Sequence, residues 1–278
     1  MPLRTAEQYR EGLRDGRVVY YRGQRVEDVT THEQLSIGVR HTSLDYEIAE
    51  DTEHRDLFSW TDEAGQVHSR YYKHPAHTQD LLNRREMIET STRLADSTVL
   101  LIKEIGTDAL FALDLVSRVV DEKAGTDYHD RVSAFHAHAR DHDLSLAVAQ
   151  TDVKGDRALL PSEQTHPDYY VRIVEEREDG IVVRGCKAHT TNTPMVDEII
   201  VLPTRAIGEQ DAAYAVAFAI PVNTPGVKLL ASPFGAAERH SGFHFPVSSQ
   251  HHLVDTLTIF DDVFIPLERV FLSGEWQA

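Results

Sequence analysis

The sequence predicts an α+β chain, mainly helical over residues 1–149 and a β-barrel or sandwich over 150–278. Three observations predict it. Between residues 78 and 141 apolar side chains recur every three to four positions, the period of a helix face. After residue 169 the apolar runs shorten to strand length and are broken by Gly and Pro. Around residue 150 both patterns give way to hydroxyl, Lys, Gly, Asp and Arg side chains.

Taken in order, Thr5 with Gln8 reads as a capping box that opens a short helix over 6–15. Strand-like pieces follow at 18–21 and 25–29. Residues 40–75 are rich in Asp, Glu and His with little period, and are expected as loops and short helices on the surface. A long helix is expected over 78–105, from Leu81, Met87, Ile88, Leu94, Val99 and Ile102. A second is expected over 108–122, ended by Gly125, and a third from an Asp127 cap to about residue 141. Short linkers make these three antiparallel neighbours. In the second half, strands are expected over 169–176 and 181–188, joined by a turn at Asp179-Gly180. Others are expected over 198–203, 214–221, 227–231 and 253–260. Residues 232–250, with Ser232, Gly235, Ser241 and Pro246, read as a loop excursion.

Composition narrows the function. The chain has 278 residues and a formal charge of −17, with 41% apolar and 26% charged residues. Such acidity opposes non-specific nucleic-acid binding and adhesion to anionic membranes, since both need a basic face. No apolar run approaches the ~20 residues that cross a bilayer, and the first residues lack the apolar core of a secretory signal. The single Cys186 excludes an intrachain disulfide and any multi-cysteine metal centre. The expectation is a soluble, cytoplasmic enzyme or enzyme subunit.

Two segments concentrate chemistry. Gln150, Thr151, Asp152, Lys154, Gly155 and Arg157 sit in one non-helical run. Gly155 lets backbone N–H groups turn toward an anion, and Lys154 and Arg157 add charge, which suits a diphosphate or the edge of a flavin. By residue types alone an ordinary solvated turn is the commoner explanation. The second segment ends a strand with Lys187, His189, Thr190, Thr191 and Asn192, groups that can hydrogen-bond a heterocycle. Alone, a polar strand-to-loop junction explains it as well. His138 with His142, and His251 with His252, are loose pairs without a third ligand, so no metal site is assigned. There is no dinucleotide or P-loop glycine pattern and no nucleophile elbow.

A longer set of strings identifies a family. Thr5-Ala-Glu-Gln-Tyr-Arg10, Val19-Tyr-Tyr-Arg22, Gly125-Thr-Asp-Tyr-His129, Pro161-Ser-Glu-Gln164, Lys187-Ala-His189 and Phe260-Asp-Asp-Val-Phe-Ile-Pro266 occur in order, with Thr151 to Arg157 between them. Together they resemble the N-terminal and middle regions of the 4-hydroxyphenylacetate 3-hydroxylase family. They are most similar to its 4-hydroxybutyryl-CoA dehydratase/vinylacetyl-CoA isomerase branch. The resemblance implies an acyl-CoA-dehydrogenase-like fold: helical part, middle β-domain and C-terminal helical bundle, with FAD bound between them. It sets Gln150 to Arg157, His189 to Thr191 and the stretch around Ser232 on flavin-contacting segments. Thr190 and Thr191 would then hydrogen-bond the flavin ring. It also sets Asp255 where the dehydratase branch has a catalytic Glu, so that Asp255, with His189, would move protons; a strand-bracketing role for Asp255 is the alternative.

Three departures qualify the resemblance. Leu100 and Glu104 stand where the dehydratase branch carries two cysteines of its iron–sulfur cluster. Ile105, Ala109 and Val148 stand where the hydroxylase branch carries its phenol-binding Arg, Tyr and His. The sequence ends at Trp276-Gln-Ala278, where the family continues into its bundle. Either these residues belong to a longer polypeptide or a partner subunit supplies the bundle. The second is expected, because a β-face left bare would expose a large apolar patch. The resulting expectation is an FAD-dependent heteromer acting on a small organic substrate, an acyl thioester among the candidates, by dehydrogenation, double-bond isomerisation or elimination. A reduced-flavin-dependent monooxygenase component fed by a flavin reductase, and a non-catalytic scaffold subunit, are the rivals.

Overall fold

Thr5 opens α1 (Ala6–Gly12) through the capping box: the Gln8 amide donates to Thr5 Oγ1 at 3.1 Å, and the Thr5 amide donates to Gln8 Oε1 at 2.9 Å. The computed structural model describes residues 3–233 and 242–277; the loop reading at Gly235 and Ser241 lies outside the described residues. Strands β1 (Val19–Tyr21) and β2 (Gln24–Val26) form a hairpin turned at Arg22 and Gly23, both at positive φ.

The stretch expected as surface loop begins inside a 16-residue helix, α2 (Leu35–Glu50), and most of that helix is buried. Its polar side chains are accommodated internally. Thr42 Oγ1 donates to the Gly38 carbonyl at 2.9 Å and Ser43 Oγ to that of Val39 at 2.7 Å. The short helix α3 (Arg55–Phe58) and the hairpin of β3 (Ser59–Thr61) and β4 (Val67–Ser69) follow.

The single helix expected over 78–105 is instead α4 (Thr78–Leu94) and the start of α5 (Glu104–Ala124). Asp96 and Ser97, both at positive φ, break the backbone between them. Leu100 and Ile102, which prolong the apolar period, enter the core from a loop. Gly125, at φ 72°, ends α5 as expected. Asp127 makes no side-chain cap to α6 (Tyr128–Asp141). Asp121 takes that part, its carboxylate accepting from the Tyr128 and His129 amides at 2.9 Å each.

The remaining strands are β5 (Leu146–Ala149), β6 (Arg172–Arg177), β7 (Gly180–Lys187), β8 (Glu198–Val201), β9 (Val216–Pro221), β10 (Val227–Ala231), β11 (Thr256–Pro266) and β12 (Val270–Ser273). The Asp179-Gly180 turn joins β6 to β7 with Arg177 opposite Gly180. One sheet runs β2-β1-β10-β11-β7-β6 and the other β12-β9-β8-β5. Strands from before residue 150 thus complete both sheets. Phe218 of β9 meets Phe260 of β11 edge to face, at 5.7 Å between centroids, so the sheets form a sandwich.

The smaller sheet is buried on both faces. Ile199, Val201, Phe218 and Ile220 face the larger sheet, while Leu146, Ile200, Ala217 and Ala219 face α5 and α6 through Leu110, Leu113 and Phe135. That is why its strands read as continuous apolar runs rather than alternating ones. Among the described residues no helix is long and apolar enough to cross a membrane.

Candidate functional site

β1, β7 and β10 end, and β11 begins, along one edge of the larger sheet. Lys187 lies opposite Thr258, Ala231 opposite Thr256, and Tyr21 beside Ala231. This register carries residues 187–191, Asp255, Ser232 and Arg22 out on the same side. The run 150–157 joins them: the Ala188 amide donates to the Thr151 carbonyl at 2.7 Å, and Asp152 bridges to Lys187. The Ser232 amide donates to the Asp255 carbonyl at 2.8 Å. All three segments singled out in the sequence therefore meet on one rim.

The rim residues divide into two sets. Asp152 and Thr190 turn inward. Asp152 and Lys187 form a buried ion pair at 2.8 Å, with side chains 4% and 2% exposed. Lys187 Nζ also donates to the carbonyls of Gln150 and Leu202, at 2.9 and 2.8 Å, and burial lowers its pKa. Thr190 Oγ1 lies 2.5 Å from Thr256 Oγ1 and 2.6 Å from Thr258 Oγ1, wholly buried. These two residues brace the rim; a ligand lying on it would not meet their side chains.

The second set faces outward. Gln150, Gly155, Arg157 and His189 are exposed, and Lys154 and Thr191 are half-buried. Lys154 and Arg157 make no ion pair among the described residues. Thr191 Oγ1 donates to Asp255 Oδ1 at 2.9 Å, which fixes one oxygen of a half-buried carboxylate. Eight non-glycine residues with positive φ occur among the described residues, and Arg22, Lys154, His189 and Asn192 place four of them on this rim. Backbone held in that region gathers where side chains must be aimed.

Three further residues hold the rim. Gln164 fastens the 150–157 loop: its Oε1 accepts from the Asp156 amide at 3.0 Å and its Nε2 donates to the Asp156 carbonyl at 2.8 Å. Thr204 Oγ1 accepts from the Asp152 amide at 2.8 Å. Asn192 Oδ1 accepts from the Val254 amide at 2.9 Å. Gln164 stands in one of the strings quoted above and Asn192 in the polar run after Lys187, whereas Thr204 was not singled out.

Beside Gln150, α5 closes an apolar cleft of about 230 Å³, lined by Ala109, Leu113, Val116, Leu202, Pro203 and Leu272. A second hollow of about 520 Å³ flanks Ser232, between Tyr20, Arg22 and Leu230. Ala109 and Val148, the positions of the expected phenol-binding Tyr and His, both belong to the apolar cluster under the first cleft. Leu100 is buried with Ile48, Phe58 and Met87, and burial raises the pKa of Glu104. Neither iron–sulfur position offers a thiolate.

Residues 5–272 match the family model described as 4-hydroxyphenylacetate 3-hydroxylase N terminal. The chain belongs to the 4-hydroxyphenylacetate 3-hydroxylase family. Within that family it is 35% identical to the 4-hydroxybutyryl-CoA dehydratase/vinylacetyl-CoA-Δ-isomerase of Clostridium aminobutyricum, over 99% of this chain and 57% of the relative. It is 31% identical to the 4-hydroxyphenylacetate 3-monooxygenase oxygenase component of Thermus thermophilus, over 98% of this chain and 55% of the relative. Among solved structures, an oxygen-tolerant archaeal 4-hydroxybutyryl-CoA dehydratase from N. maritimus superposes with a TM-score of 0.92 at 30% identity, covering 99% of this chain and 55% of that one. The oxygenase component HpaB in complex with FAD superposes at 0.85 and 29% identity, covering 99% and 56%. The fold is the one these two share, and this chain spans about half the length of the relatives it matches.

Proposed function

We propose that this chain forms the β-domain side of an FAD site in an enzyme that dehydrogenates, isomerises or eliminates on a small organic substrate, an acyl thioester among the candidates. The reading is carried by one observation: the 150–157 loop, the 189–191 corner, Asp255 and Ser232 share one rim, and Gln150 at the start of that loop also lines the apolar cleft under α5. The residues fit the cofactor by donor chemistry. Arg157 and Lys154 offer charge to a diphosphate, Gln150 and Thr191 offer polar groups to a ring edge, and Ala109, Leu113 and Val116 offer an apolar wall. At about 230 Å³ that cleft is smaller than a cofactor pocket, so its opposite wall comes from further helices, in the same polypeptide or a partner subunit.

When bound, FAD would supply the electron chemistry. Thr191 holds Asp255 by one oxygen and leaves the other for a substrate proton next to a carbonyl or alkene. His189, exposed two residues before Thr191, is the proposed group that passes that proton onward. The monooxygenase reading has less support, since Ala109 and Val148 provide no polar group for a phenol.

The test is a visible spectrum of the chain purified with the polypeptide that supplies the helices. Flavin absorbance should be present, and Asp255→Asn should retain it while lowering turnover. A colourless complex refutes the cofactor, and full turnover in Asp255→Asn removes that carboxylate from the reaction.

A further inference from the structure

The segment that leads into Asp255 is fastened by an unusual pair. His41, buried on α2, and His251 meet Nδ1 to Nδ1 at 3.1 Å. His41 Nε2 lies 3.1 Å from the Val99 carbonyl, which can only accept, so this nitrogen carries a hydrogen. His251 Nε2 lies 3.2 Å from Asp96 Oδ2, a carboxylate oxygen that accepts, so this nitrogen carries a hydrogen too. In two neutral rings both Nδ1 atoms would then be bare lone pairs facing each other, which is repulsive. The contact becomes attractive when one positive particle lies between them.

Geometry decides which particle. The ring centroids stand 5.2 Å apart, about 2 Å more than the two nitrogens, so the nitrogens lie close to the line joining the rings. A linear N–H···N bond needs that arrangement. A metal ion bound at about 2.0–2.1 Å from each nitrogen would sit off the line and would need further ligands. Among the described residues the one cluster of three or more metal-ligating side chains is elsewhere, at Asp51, Glu53 and His54.

We propose that His41 and His251 share a single proton as an imidazole–imidazolium pair, and that His251 thereby acts as a positioning residue for Asp255. His41 is buried, whereas His251 Nε2 faces the Asp96 carboxylate at 3.2 Å, so the charge of the pair is best met on the His251 side. The other ionisable groups facing the pair are His252, toward His41, and Arg40 and Glu47, which share its hollow of about 390 Å³. Glu47 is already paired with Arg10 at 3.0 Å.

From this latch the chain runs to Asp255 over α2 at its closest approach. A Cβ on Gly38 would come within 3.0 Å of Val254 and 3.3 Å of the His252 carbonyl. Asn192 holds Val254 on both sides, its amide donating to the Val254 carbonyl at 2.7 Å and its Oδ1 accepting from the Val254 amide at 2.9 Å. The segment is thus pinned at Asn192 and Thr191 on one end and at the histidine pair on the other. Loss of the proton as pH rises restores lone-pair repulsion and releases the second end.

The functional consequence rests on the proposed role of Asp255, but the shared proton does not. Long-range proton–nitrogen NMR of the histidine-labelled chain between pH 5 and 9 tests it directly. At pH 6 His41 should be the neutral Nε2–H tautomer and His251 doubly protonated, and both rings should change together as one proton leaves. Amide exchange over residues 252–255 should then quicken roughly tenfold, as a local opening becomes easier. Asp96→Asn should lower the pH of release by about one unit. His251→Gln should exchange fast at every pH. Independent titration of the two rings, a neutral His251 at pH 6, or one equivalent of zinc bound at both Nδ1 atoms would overturn the shared proton. Exchange at 252–255 that ignores the titration would overturn the latch. Full activity in Asp255→Asn would leave the proton result standing and remove only its link to catalysis.

Discussion

Asp45 gives the sharpest test of the interior. It lies wholly buried on α2, and neither carboxylate oxygen has a hydrogen-bond partner. Lys103 Nζ stands 3.8 Å away, beyond hydrogen-bond reach, and pairs with Asp143 Oδ1 at 2.8 Å instead. Burial is the leading cause that lifts the pKa of Asp45 from 3.8 to about 6, against the pull of Lys103. With the folded pKa above the unfolded one, the contribution is fully present at low pH and is lost as pH rises through about 6. The limiting loss is about 3 kcal/mol, of which about 2 kcal/mol develops between pH 4.5 and pH 8. Asp45→Asn cannot ionise. Whatever its packing cost, that cost is the same at both pH values and cancels. Urea titrations of both proteins should therefore show the variant gaining about 2 kcal/mol on the parent from pH 4.5 to pH 8. A constant difference, or one moving the other way, would mean that Lys103 holds the ionised carboxylate, and the reasoning would fail.

Three further outcomes follow. Lys187→Met should destabilise by about 3–5 kcal/mol, because Asp152 is left charged and buried; a urea midpoint close to that of the parent would mean that the pair contributes little. Gly155 has φ 57°, and a Cβ there would lie 2.4 Å from Gln164 Oε1, so Gly155→Ala should free the 150–157 loop to limited proteolysis without unfolding the sandwich; an unchanged digestion pattern contradicts this. Burial lowers the pKa of His136 to about 4, so its ring should stay neutral at pH 5, and the stability tied to it is present above about pH 6.5 and declines as pH falls toward 4. A proton NMR titration of His136 with its midpoint above 6 would refute that assignment.

What the sequence disclosed and what it hid have a common cause. The capping box at Thr5, the turn at Gly180 and the stop at Gly125 are local: each is decided by residues within a few positions, and each stands as read. α2 was hidden because its polar side chains answer to distant partners, Asp45 to Lys103 and His41 to Val99 and His251. The false continuation of α4 past Leu94 has the same root. Apolar period records burial, and Leu100 and Ile102 are buried from a loop. At the rim, two segments stood out by residue type, and the third, around Ser232, only through the resemblance. The inward turn of Asp152 and Thr190 was not legible, because it depends on pairing with Lys187 and Thr256 across the sheet.

The replaced positions constrain the chemistry more than the retained ones. Leu100 is 1% exposed, packed among Ile48, Phe58 and Met87, so a cysteine restored there would leave a cavity and a lone thiol in apolar surroundings, not half of a cluster site. Ala109 and Val148 line an apolar cluster with Leu113, and a Tyr and a His set into it would need polar partners that the cluster lacks. Leu100, Ala109 and Val148 therefore complete apolar packing, Glu104 and the exposed Ile105 do not, and the sheet-edge rim carries charge, hydroxyls and left-handed corners. On the proposed reading, a substrate that needs neither a Lewis-acidic iron nor a phenol clamp remains. It must be activated by its own carbonyl or alkene, so that one carboxylate held at a single oxygen by Thr191 suffices to move its proton.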